Sequence, residues 1–154
     1  MKNKLTNTIS ASALALALIL SLSSGAPPVS ASEERNGQLH LQKDCTEYFG
    51  NAGDHCTVTL SNFEKIPTGS HIFYDQAAGV PAGMLDSNIV LDAGGGNRGM
   101  GRCTLDLKTG LGLCTFSDGT GTLAGLTARV NVSCLGGPTC ALNGTYSFNP
   151  LPPR

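Results

Sequence analysis

Six cysteines, three tyrosines and three histidines are the side chains of this chain that most readily do chemistry. Cys45, Cys56, Cys103, Cys114, Cys134 and Cys140 lack the paired C-x2-C spacing of a zinc site. In a chain of this size they read as three disulfides made in an oxidising compartment. Sequence neighbours pair Cys45 with Cys56, Cys103 with Cys114, and Cys134 with Cys140. The last two flank L-G-G-P-T and fall on the same face of adjacent strands. The middle pair depends on its hairpin. A three-residue loop over Lys108-Thr109-Gly110, with Gly110 left-handed, sets Leu105 against Leu113 and turns Cys103 and Cys114 to opposite faces. A two-residue loop instead sets Cys103 against Cys114 and breaks the leucine match.

The other polar candidates are Tyr74, Tyr146 and Arg102, joined by Tyr48 and Asp75. Tyr74 is in phase with Ile72, and Tyr146 with Leu142 and Phe148, so both tyrosines are expected to point inward and offer ligand contacts at the mouth of a barrel. Their plainer role is core filling with the hydroxyl at the rim. His40, His55 and His71 have no histidine partner at i+2 or i+4, so neither a metal nor a cofactor is expected. No G-x-S-x-G elbow occurs, and no catalytic residue is assigned. The run from Gly119 to Gly125 is glycine-rich like a phosphate loop. It lacks the Lys-Ser/Thr ending and the following helix, and reads as a turn. Asn131-Val-Ser133 and Asn143-Gly-Thr145 match the glycosylation pattern.

These groups must be positioned by strands. From Arg102 to Phe148 apolar residues recur at every second position, with Gly or Pro at the breaks. Strands are expected over 38–42, 56–60, 70–75, 87–92, 101–107, 111–117, 121–124, 127–134 and 139–148. Gly94 to Gly99 must be a loop. No segment has a helical period. The fold class is therefore all-β, a small antiparallel β-barrel or a sandwich, stabilised by disulfides. Cys56, Cys103, Cys134 and Cys140 are in phase with Val58/Leu60, Leu105/Leu107, Val130/Val132 and Leu142/Phe148, which defines an apolar inner face. Thr57, Thr59, Arg129, Asn131, Asn143 and Thr145 then face water.

Residues 1–31 read as a secretory signal: Lys2 and Lys4, an apolar run from Ala13 to Leu22, helix breakers, and cleavage after Ala31. The apolar run is shorter than the roughly 20 residues needed to span about 30 Å of hydrocarbon, so no membrane span is expected after its removal. A barrel domain over 32–149 and a Pro-rich tail over 150–154 follow. Of the 154 residues, ten are Lys or Arg and eleven Asp or Glu. Without Lys2 and Lys4 the balance is eight to eleven, a formal charge of −3, with no basic cluster to suit nucleic acid.

The stretch from Gly101 to Gly125 resembles the allene oxide cyclase barrel-like and dirigent-like group, whose members often carry a Gly-Gly-Thr-Gly-x-aromatic-x-Gly turn after a strand pair. Gly119, Thr120, Gly121, Leu123 and Gly125 match that turn. Asp118 stands in place of its first glycine and Leu123 in place of its aromatic residue. The resemblance runs from about Gly69 to Phe148. It implies an antiparallel barrel of about eight strands, often oligomeric, with an apolar pocket at one end. It also implies cofactor-free chemistry, in which the pocket shapes a reactive apolar substrate and shields it from water. The family's catalytic acidic and tyrosine residues have no motif match in this chain.

Three functions follow as expectations. The first is a secreted β-barrel that binds a small hydrophobic molecule in its interior or mouth. The second is a cofactor-free isomerase or cyclase of the allene oxide cyclase or dirigent type. The third is a structural or interaction protein with a filled barrel. Interior volume discriminates among them, since a drug-sized ligand needs about 300 Å3 or more.

Overall fold

The computed structural model describes residues 35–149; the expected signal segment and Pro-rich tail lie outside them. Eight strands follow one another: β1 (Asn36–Asp44), β2 (His55–Ser61), β3 (His71–Tyr74), β4 (Met84–Asp92), β5 (Arg98–Asp106), β6 (Leu111–Gly119), β7 (Leu126–Ser133) and β8 (Thr139–Phe148). Each pairs antiparallel with its neighbour in sequence, and β8 returns to pair with β1, closing the barrel. Closure satisfies every strand edge. The three expected disulfides join Cys45 to Cys56, Cys103 to Cys114, and Cys134 to Cys140. Disulfides of this number fit an oxidising, extracellular setting.

Alternation along the strands divides inside from outside. Leu39, Leu41, Ile72, Ile89, Leu91, Phe116, Val130 and Leu142 are buried and fill the middle of the barrel with side chains. An interior of eight strands is just wide enough to be filled in this way. Backbones approach closely at Gly144, where a Cβ would run into the carbonyl oxygen of Arg129.

Four expectations change. The loop expected over Gly94 to Gly99 stops at Asn97, because Arg98 and Gly99 pair with Asp92 and Leu91 in the β4–β5 ladder, and Gly99 is buried. The segment 121–124 is not a strand: Gly121–Leu123 forms one 3-10 turn. Asn97 Oδ1 accepts from the Thr122 amide at 2.9 Å, and the neighbouring Thr120 hydroxyl donates to the Gly96 carbonyl at 2.9 Å, so the segment ties to the β4–β5 loop instead of a sheet ladder. Leu60 is 47% exposed, not inward. The β1–β2 register slips between Gln42 and Lys43, which leaves Thr59 without an opposing residue and turns Leu60 outward. Leu107 falls in the turn after β5 and is also exposed. That turn combines both hairpin alternatives. Gly110 is left-handed at φ +69°, while Cys103 opposes Cys114 and Leu105 opposes Gly112. The Asp106 carboxylate makes this fit by accepting from the amides of Lys108 and Thr109, both at 2.8 Å.

The two barrel ends differ. One carries the β2–β3, β4–β5 and β6–β7 connections. It is plugged by Phe63, Ile66, Leu123 and Leu126, all buried. The other carries the β1–β2, β3–β4, β5–β6 and β7–β8 loops and contains the cavity described next.

Candidate functional site

β1 continues two residues beyond the expected strand, and that extension determines the site. Lys43 follows Leu39 and Leu41 in the inward phase and is only 4% exposed. Tyr74 ends β3 in phase with Ile72, and its ring is buried. The Lys43 ammonium donates a hydrogen bond to the Tyr74 hydroxyl. Among the described residues no carboxylate lies within ion-pair distance of Lys43.

The β1–β2 loop brings Tyr48 over this pair, its ring centroid 5.0 Å from that of Tyr74. The Tyr48 hydroxyl is buried without a hydrogen-bond partner among the described residues. The loop is firmly held. Cys45–Cys56 staples its base, and Asp54 accepts from the amides of Phe49 and Asn51 at 2.7 and 2.8 Å. The Gly53 amide donates to the Tyr74 carbonyl at 2.7 Å.

Lys43, Tyr48 and Tyr74 line a cavity of about 250 Å3 together with Leu85, Leu105, Pro138 and the Cys45–Cys56 and Cys134–Cys140 disulfides. Apart from one amine and two phenols, its named side chains are aliphatic or sulfur. Burial lowers the Lys43 pKa from 10.5 to about 8. Burial pushes the Tyr48 hydroxyl up to about 12, with the nearby Tyr74 and Asp54 adding to the rise. Tyr74 is raised as well, also by burial. Both tyrosines are therefore neutral phenols near neutral pH, and Lys43 is within reach of losing its proton.

The outside of this end is apolar too. Phe49, Val80, Leu107 and Leu135 are exposed, one on each of its four loops.

The structure separates the three expected ligand-binding residues. Tyr74 is in the cavity. Tyr146 is buried at the plugged end, stacked on Phe63 at 4.3 Å. Its partner in the ladder is Gly37, six residues along β1 from Lys43 or about 20 Å of strand. Arg102 lies on the outer face of β5, because its neighbour Cys103 points in. It makes a bidentate pair with Asp86 at 2.7 and 2.6 Å, and those hydrogen bonds hold the Asp86 carboxyl below its ordinary range.

Elsewhere, His55 and His71 meet across β2 and β3 with ring centroids 4.8 Å apart, and Glu47 contacts His55 at 2.9 Å. Among the described residues no group of three His, Cys, Asp or Glu is arranged to hold a metal. Asn131 and Asn143 oppose each other, exposed, on β7 and β8.

Lys43 lies just past the strand expected over 38–42, so sequence reasoning does not single it out. Its signal was the i, i+2, i+4 spacing of Leu39, Leu41 and Lys43. Comparison with protein-family models, with curated proteins and with solved structures finds no significant match.

Proposed function

We propose that the protein is exported by its N-terminal signal and binds a small, largely apolar molecule carrying one oxygen acceptor, held at the Lys43 end of the barrel. One observation carries this: among the described residues the Lys43 amine has no carboxylate partner and the Tyr48 hydroxyl has no hydrogen-bond partner. Both line the same apolar cavity. Unpaired buried polar groups cost free energy that an acceptor on a ligand restores. The packed middle of the barrel confines the ligand to this end. A cavity of about 150 Å3 suffices for benzene, so about 250 Å3 selects single rings and short chains over drug-sized molecules.

The chain has no tryptophan and three tyrosines, two of them in the cavity. Tyrosine fluorescence therefore reports occupancy. Titration with benzyl alcohol should give a saturable change, weakened about fivefold by Tyr48→Phe, the loss of one hydrogen bond of about 1 kcal/mol. A linear, unsaturable response identical in the variant would refute site binding.

A cofactor-free isomerase or cyclase is the second reading. The Lys43–Tyr74 hydrogen bond supports it, being a proton-transfer couple inside an apolar chamber. Turnover of a small epoxide, lost in Tyr74→Phe, is the corresponding test.

A further inference from the structure

We propose that Lys43 is a carbonyl-capturing residue, condensing reversibly with a small aldehyde or ketone in the cavity to form an imine. The inference rests on the binding reading above and adds covalent chemistry to it. Three geometric facts carry it. Lys43 is almost wholly buried yet lines a cavity that runs out to the exposed Gly137 and Pro138 at the rim. No carboxylate among the described residues fixes it as an ammonium. Tyr74, in hydrogen-bond contact, and Tyr48 above it are the titratable groups that share its cavity. A lysine desolvated in an apolar pocket is an activated nucleophile, because burial disfavours its charged form. The lowered Lys43 pKa agrees with that setting.

The chemistry balances without any further reagent. The neutral amine's lone pair forms a C–N bond to the carbonyl carbon, and a proton from nitrogen passes to the carbonyl oxygen, giving a carbinolamine. The C–O bond then breaks, the departing oxygen takes the second nitrogen proton, and water leaves as the C=N bond forms. Tyr74, neutral and in contact with the nitrogen, is placed to relay these protons. Leu85 and Leu105 favour carbonyls with an aryl or short alkyl group. Neither oxidant nor metal takes part.

Reductive trapping of the intact, disulfide-bonded protein tests this. Benzaldehyde and cyanoborohydride at neutral pH convert any imine to a stable benzylamine, which peptide mapping locates. Lys43 should be benzylated roughly tenfold or more faster than Lys65 and Lys108, and Tyr74→Phe should slow Lys43 alone. Reduction and unfolding should erase the difference between the three lysines. Benzyl alcohol, which has no carbonyl, should protect Lys43 and leave Lys108 unaffected. Equal labelling of the three lysines in the folded protein would overturn imine formation. If benzyl alcohol still saturates the tyrosine signal, the binding reading survives that result. If it does not, both readings fall.

Discussion

Lys43 and Tyr74 face each other across the barrel end, the ammonium donating to the phenol with no carboxylate among the described residues to share the charge. β1 delivers the amine and β3 the hydroxyl, and the β1–β2 loop roofs both with Tyr48. A buried charge is held here by a neutral partner, an arrangement whose cost should appear in stability and whose use should appear in binding.

The cost is readable by pH. Lys43 has a folded pKa of about 8 against 10.5 for the free side chain, so the unfolded chain holds more protons between those values. Stability therefore rises with pH across that window and carries the full penalty below it. Replacing Lys43 with Met should stabilise the protein by about 1–2 kcal/mol near pH 7, since removing a buried charge outweighs stranding the Tyr74 hydroxyl. That advantage should shrink as pH climbs from about 8 towards 10. Tyr48, raised to about 12, contributes stability that is complete below its ordinary pKa of 10, so it leaves the window clean. Urea denaturation of both proteins at several pH values gives the two curves; parallel curves would refute the assignment.

Removing the acceptor should act oppositely. Tyr74→Phe leaves the Lys43 ammonium without a partner and should cost about 1–3 kcal/mol at neutral pH. Chemical denaturation measures that loss.

The disulfides should divide by role. Each should contribute about 2–3 kcal/mol, with Cys45–Cys56 and Cys103–Cys114 nearly equal because both span a sequence separation of 11. Only Cys45–Cys56 anchors the loop that carries Tyr48. Its double serine variant should therefore weaken benzyl alcohol binding as well as stability. The Cys103–Cys114 variant, away from the cavity lining, should lower the melting temperature and leave the affinity unchanged.

Gly144→Ala should be severe for so small a change. The new methyl collides with the Arg129 carbonyl, a backbone atom that cannot rotate away, so β7 and β8 must part. A loss of about 1–3 kcal/mol or more is expected, seen as a drop of several degrees in thermal melting, with the cavity chemistry intact in the folded fraction.

The barrel was legible in the sequence because period-two alternation with glycine breaks has few other meanings, and because cysteines in phase with Val58, Val130 and Leu142 marked the inner face. What alternation does not carry is a change of phase. The bulge beside Lys43 turned Leu60 out, and the Asp106-capped turn took Leu107 out of β5. The site was harder to read. Tyr74 was found from its phase, and the same rule applied to Arg102 beside Cys103 would have put it outside. Lys43 lies one residue past the strand expected over 38–42, where a charged residue normally reaches water. Its phase with Leu39 and Leu41 turns it inward, and the approach of Tyr74, a long-range fact, gives the amine its partner there.

The ladder between Asn36 and Ser147 sets the direction of the whole molecule. Both ends of the described chain emerge from the face opposite Lys43, so a tether or fusion at either terminus would hold the opening towards the surrounding medium. Joining those ends and cutting a loop on the plugged side should give a circular permutant with its binding chamber untouched.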